Sequence, residues 1–182
     1  MDLFTSKVLT YMDPGSVNHD FGVISVAISP NGQWVAAGCL DTAVRIWDMA
    51  TAQLVEQLQG HRDGVYSIAF TPDGQGLVSG SLDNTMKYWD ISGLNTSVGG
   101  SGMKGVGEEE LCTSTMDFIG HKNYVLSVAV SRDGQWVVSG SKDRTVQFRD
   151  ARSGVVQCML RGHRYSGGSF FLRCVVQCVD GL

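Results

Sequence analysis

Short apolar or alternating stretches run along this chain with a period of two rather than 3.6, and Gly, Asn, Asp and Pro clusters punctuate them. "GVISVAIS" (22–29), "GVYSIAFT" (64–71) and "YVLSVAVS" (124–131) each read as a strand. Each leads into a tight turn, "SPNGQ", "TPDGQ" or "SRDGQ", and then into a second strand, "QWVAAGCL", "GLVSGSL" or "QWVVSGSK". The pattern predicts a third strand after each of Asp41, Asp83 and Asp143, and a fourth over "QLVEQL", "STMDFI" and "GVVQCML".

The same unit therefore occurs three times, and its internal spacing is fixed. His19, His61 and His121 precede Asp41, Asp83 and Asp143 by 22 residues each, and "DTAVRIWD", "DNTMKYWD" and "DRTVQFRD" align below one another. The first two units are offset by 42 residues and the next two by 60, so the 18 additional residues fall between Asp90 and His121. There "SGLNTSVGGSGMKGVGEEE" (92–110) is rich in Gly and Ser and ends in three acids, a composition that predicts a flexible, solvated loop.

Four short strands per period of about 42 residues predict an all-β fold of propeller blades. The expected organisation is an outer strand of a missing preceding blade plus linker over 1–18, with "TSKVLTYM" as that strand, then blade one over 19–59. Blade two covers 60–119 with the insertion 92–110, blade three covers 120–160, and 161–182 form a divergent or truncated tail. Propellers close with about four to eight blades. Three blades make an incomplete ring, expected of a fragment or degraded paralogue; the alternative is a short protein that closes a ring by self-association.

The motifs Gly60-His61, Gly120-His121 and Gly162-His163, the inter-strand Asp residues, Trp47-Asp48 and Trp89-Asp90 resemble WD-repeat proteins. The resemblance implies a structural tetrad of His61, Ser79, Asp83 and Trp89 in blade two, where His, hydroxyl, carboxylate and indole N–H satisfy one another. Blade one departs from it, with Ala37 at the Ser position beside His19, Asp41 and Trp47. Blade three also departs, with Arg149 at the Trp position beside His121, Ser139 and Asp143. Each lost link is expected to cost roughly 1 kcal/mol.

"GHKNYVLSVAVSRDGQWVVSGSKDRTVQF", "VAAGCLDTAVRIWD" and the position of the insertion are similar to the propeller of fungal Tup-type general transcriptional corepressors, relatives of Groucho. That family's tetramerising helix and Gln-rich region have no counterpart here. The resemblance implies a nuclear scaffold, with the cytoplasm as a second compartment, that docks on sequence-specific repressors or corepressor subunits without itself reading nucleic acid sequence. The alternative is a WD adaptor in another pathway, such as ubiquitin-ligase substrate recognition or signalling. It also implies a partner-binding face at the channel entrance, formed by Ile24, Leu40, Tyr66, Leu82, Tyr124, Leu126 and Lys142. The other reading of Ile24 and Leu126 is that they pack between blades as ordinary strand residues.

Composition narrows this further. With 43% hydrophobic residues the chain can build a packed core, and the net charge of −4 divides into −9 over residues 1–120 and +5 over 121–182. No aromatic platform interleaves with the basic residues, so two solvated surfaces of opposite sign are expected rather than a phosphate-binding patch. Cys39, Cys112, Cys158, Cys174 and Cys178 are odd in number and irregularly spaced, which fits reduced thiols and gives no metal site. No run of roughly 18 apolar residues and no basic-then-apolar start is present, so neither a membrane partner nor a secretory signal is expected, and "NTS" at Asn95 should stay unmodified. The recurring His and Asp residues sit at blade-equivalent positions, and "GGSGMKG" is not followed by Ser/Thr or a helix. No catalytic residue, cofactor or small-molecule substrate is therefore expected.

Overall fold

A computed structural model describes residues 22–94 and 116–162. Twelve strands form three four-stranded antiparallel sheets, each in sequence order. Sheet one contains β1 (Val23–Ile28), β2 (Trp34–Cys39), β3 (Val44–Asp48) and β4 (Leu54–Leu58). Sheet two contains β5 (Val65–Phe70), β6 (Gly76–Ser81), β7 (Met86–Asp90) and β8 (Met116–Phe118). Sheet three contains β9 (Val125–Val130), β10 (Trp136–Ser141), β11 (Thr145–Asp150) and β12 (Val156–Arg161). These are WD-type blades of an incomplete propeller, the all-β architecture expected from the period of the sequence.

Local chemistry explains why the hairpins repeat. At each first turn a hydroxyl accepts the N–H that opens the second strand: Trp34 N to Ser29 Oγ, Gly76 N to Thr71 Oγ1 and Trp136 N to Ser131 Oγ, all at 2.9 Å. Gly32, Gly74 and Gly134 in these turns adopt φ near +70°, which a side chain would disfavour.

The blades stack through their first strands. Ser25 Oγ in β1 accepts the N–H of Ile68 in β5 at 3.2 Å, and Ser67 Oγ accepts the N–H of Val128 in β9 at 3.0 Å. Trp34, Val44, Ile46 and Leu58 of sheet one form one core with Val65, Ile68, Leu77 and Trp89 of sheet two. Val78, Met86 and Phe118 of sheet two form the next core with Val125, Val128 and Val137 of sheet three.

Equivalent positions differ only in what covers them. Val26 and Ile68 pair with Ala37 and Ser79 in the same register, yet Val26 is 70% exposed and Ile68 6%. At the other end, Leu58 and Leu160 pair with Val44 and Val146, and they are 0% and 43% exposed. The end face of sheet one is therefore apolar and uncovered, whereas in sheet three only the outermost strand is exposed and Val138 and Val146 remain buried at 0% and 3%. At the start of the insertion, Ser92–Leu94 form a short 3₁₀ turn, and Ile91 and Leu94 belong to the first core. Arg161, placed in the tail by the sequence, instead ends β12; the remainder of the insertion, the 5–12 stretch, His19, and residues 163–182 of the tail fall outside the described residues.

Candidate functional site

Two constellations repeat from blade to blade: an internal polar network and an exposed edge. In blade two, His61 Nδ1 lies 2.8 Å from Asp83 Oδ2, and a carboxylate oxygen only accepts, so Nδ1 carries the hydrogen. Nε2 is 2.7 Å from Ser79 Oγ, which itself accepts from Trp89 Nε1 at 2.8 Å. The hydroxyl thus receives the indole hydrogen and donates its own to the imidazole. Asp83 also accepts from Arg62 N at 2.9 Å, and from Thr85 N and Oγ1 at 2.9 and 2.6 Å. Burial alone would raise its carboxyl, but the hydrogen bonds from His61, Thr85 and Arg62 outweigh that and hold it well below the ordinary carboxylate range.

Blade three repeats the first part of the network. His121 lies 2.9 Å from Asp143 and 2.8 Å from Ser139, and Lys122 N and Thr145 donate to Asp143. Burial pulls the His121 imidazole down against the opposing pull of Asp143. Arg149 occupies the register of Trp89 but does not contact Ser139; it donates instead to Ile119 O at 2.9 Å, Gly154 O at 3.1 Å and Gln147 Oε1 at 2.6 Å. In blade one Ala37 holds the Ser register, Asp41 accepts from Arg45 Nη1 at 3.0 Å, and Trp47 is less buried than Trp89.

Several members of this network had not been singled out from the sequence. Ser81 and Ser141 each donate to a backbone carbonyl, of Asp63 and Asn123, at 2.8 and 2.9 Å, and each accepts the N–H of the following Asp. The repeated "SLDNT" and "SKDRT", against "CLDTA" in blade one, carried that signal.

The second constellation lies where the loop before each first strand meets the turn between its second and third strands. Leu40 N donates to Gly22 O at 3.1 Å, Leu82 N to Gly64 O at 3.0 Å and Lys142 N to Tyr124 O at 2.9 Å. These bonds bring together the residue one before each turn Asp and the residue three after each His position. Leu40 also crosses to the next blade, since a Cβ on Gly64 would stand 3.0 Å from its Cδ2.

Ile24, Tyr66 and Leu126 fall at a register shift in each first strand, between Val23 and Ser25, between Val65 and Ser67, and opposite Gly140/Ser141. A bulge re-aims a side chain out of the pleat. Ile24 and Tyr66 are exposed, whereas Val65 and Ser67 on either side of Tyr66 are buried. Leu40 is 46% exposed, Tyr124 is exposed with Lys142 Nζ 5.0 Å above its ring, and Leu82 and Leu126 are half-buried.

The family model described as "WD domain, G-beta repeat" matches residues 13–48, 52–90 and 111–150, most of the chain. The chain belongs to the WD-repeat family. This WD-repeat chain is 61% identical over 49 residues to "Transcriptional repressor rco-1" of Neurospora crassa, covering 27% of the chain and 8% of that protein. It is 50% identical over 54 residues to "General transcriptional corepressor TUP1" of Saccharomyces cerevisiae, covering 30% and 8%. A longer match, 33% over 137 residues, links 75% of the chain to 22% of the "CCR4-associated factor 4 homolog" of Candida glabrata. The matches to rco-1 and TUP1 thus span less than a tenth of those proteins. The Tup-type resemblance is partial, and it is carried by the repeats.

Proposed function

We propose that this chain is a protein-interaction scaffold of the transcriptional corepressor type, acting in the nucleus by docking on DNA-bound repressors without catalysis of its own. The carrying observation is the exposed edge: the same backbone hydrogen bond in each blade presents Leu40, Leu82 and Lys142 beside the bulge residues Ile24, Tyr66 and Leu126. Apolar groups gathered at an exposed edge favour protein contact, and tyrosines supply area with a polar tip. The His and Asp residues, by contrast, spend their hydrogen bonds on one another and on Ser and Thr, which suits a structural role. The names of rco-1, a transcriptional repressor, and TUP1, a general transcriptional corepressor, support a role in repression.

A second reading, a WD adaptor in another pathway, is favoured by the match to the CCR4-associated factor 4 homolog over 75% of the chain. Pairwise binding of the chain to a panel of sequence-specific repressors and of ubiquitin-ligase substrates separates the two. Repressor binding that is lost on Leu40→Asp supports the corepressor reading; binding confined to ligase substrates refutes it.

A further inference from the structure

In blade two the space beside Gly60 is filled by the Trp89 ring, 3.3 Å from where a Gly60 Cβ would sit, and by an ion pair. The Lys87 side chain passes 3.8 Å from where a Gly60 Cβ would sit, and its Nζ reaches Asp117 on β8 at 2.7 Å. Lys87 and Asp117 are cross-strand partners, and the equivalent partners in blade three are Gln147 and Met159. Gln147 and Met159 cannot form that pair. A pocket of about 250 Å³ opens there instead, lined by Lys122, Asp143, Thr145, Gln147 and Arg161 together with Gly120 and Met159.

Its electrostatics are unbalanced. Arg149 lies directly behind two lining residues: a Cβ on Gly120 would stand 2.7 Å from Arg149 Nη2, which donates to Gln147 Oε1 at 2.6 Å. Arg149 is 3% exposed, its Nη atoms donate to uncharged oxygens, and its Nε is buried without a hydrogen-bond partner. Burying a cation without a counter-charge is costly, and desolvation lowers the guanidinium's proton affinity accordingly. Lys122 and Arg161 contribute two more cations to the lining. Asp143 is the only acid among the described lining residues, and both its oxygens are already engaged by His121, Lys122 N and Thr145.

We propose that this pocket binds a side-chain oxyanion of a partner protein, a carboxylate or a phosphorylated hydroxyl, met by Lys122 and Arg161 with Arg149 behind the wall. The site shares no residue with the exposed edge and lies on the face of blade three that carries Ser139 and Gln147, so it is separate from the opposite face that carries Val146 and Leu160.

The test is an amide NMR titration of the full chain with three blocked probes: N-acetylglutamate methylamide, N-acetylphosphoserine methylamide and the neutral N-acetylglutamine methylamide. Saturable shifts at Gly120, Lys122 and Thr145 are expected with a charged probe, at a Kd on the order of millimolar. The tighter of the two charged probes identifies the natural source. Lys122→Gln combined with Arg161→Gln, both exposed, should weaken binding about tenfold or more without moving the thermal midpoint. Failure of both charged probes to saturate, an equal response to the glutamine probe, or unchanged affinity in the double variant would overturn the assignment.

Discussion

Replacing Ser79 by Ala removes one buried oxygen, and the network of blade two sets the cost. Ser79 Oγ is the shared partner of Trp89 Nε1 at 2.8 Å and His61 Nε2 at 2.7 Å, and Trp89 and His61 are 1% and 6% exposed. Both nitrogens lose their partner where water does not reach. A buried group left unsatisfied costs about 1–3 kcal/mol, so the pair amounts to about 2–6 kcal/mol. For a chain of this size, at about 2–4 °C per kcal/mol, that corresponds to a fall in thermal midpoint of about 4–24 °C. Ser139→Ala is the internal control. Ser139 serves only His121 Nε2 in its network, because Arg149 turns away to Ile119 O and Gly154 O, so one orphan and about 1–3 kcal/mol are expected. Urea denaturation followed by tryptophan fluorescence and circular dichroism measures both. A Ser79→Ala loss no larger than that of Ser139→Ala would refute the reasoning.

Three further outcomes follow from exposure and charge. Ile68→Ala should cost about 2–4 kcal/mol, whereas Val26→Ala at the same register should stay within about 0.5, because only Ile68 is covered by a neighbouring blade; equal losses in urea unfolding would contradict that. The uncovered face of sheet one should drive self-association, and Val26→Lys with Ile28→Lys should reduce the concentration dependence seen in sedimentation velocity; a monodisperse monomer before substitution would count against this. Stability should fall in two stages on acidification. His121 is held below its ordinary 6.5, so the unfolded chain takes up that proton first as pH drops below about 6.5. The Asp143 carboxyl, raised by burial but lowered further by its hydrogen bonds from Thr145, Lys122 N and His121, sits at about 2 rather than 3.8, and its contribution is lost between those values. Urea midpoints that stay flat from pH 7 to pH 2 would contradict both assignments.

The strands were legible because they are short apolar or alternating runs and the first turn of each blade carries its own hydroxyl and Asn/Asp-Gly signal. The register followed from repetition: with three copies, His61 and Asp83 can be aligned with His121 and Asp143 without knowing the fold. Other features depend on distance in space rather than spacing in sequence. Lys87 meets Asp117 across a long insertion, and no local pattern marks that pair. Arg149 could be seen to replace a Trp, but its acceptors at Ile119 and Gly154 are backbone carbonyls, which every residue has. The pocket beside it exists because Gln147 and Met159 replace a charged pair, a comparison that only the observed cross-strand register makes meaningful. The bulges at Ile24, Tyr66 and Leu126 were hidden for a related reason: strict alternation assigns each side chain to a face, and a bulge breaks alternation locally.

The central claim is that partners dock on the exposed edge, and Tyr66 tests it most directly because it is exposed between buried neighbours. Isothermal titration of a bound repressor against the chain and its Tyr66→Ala variant, with urea unfolding of both in parallel, separates binding from folding. The account predicts a loss of about 2 kcal/mol in affinity, roughly 30-fold in Kd, with unfolding unchanged. Unaltered affinity, or a variant whose blade unfolds, would contradict it.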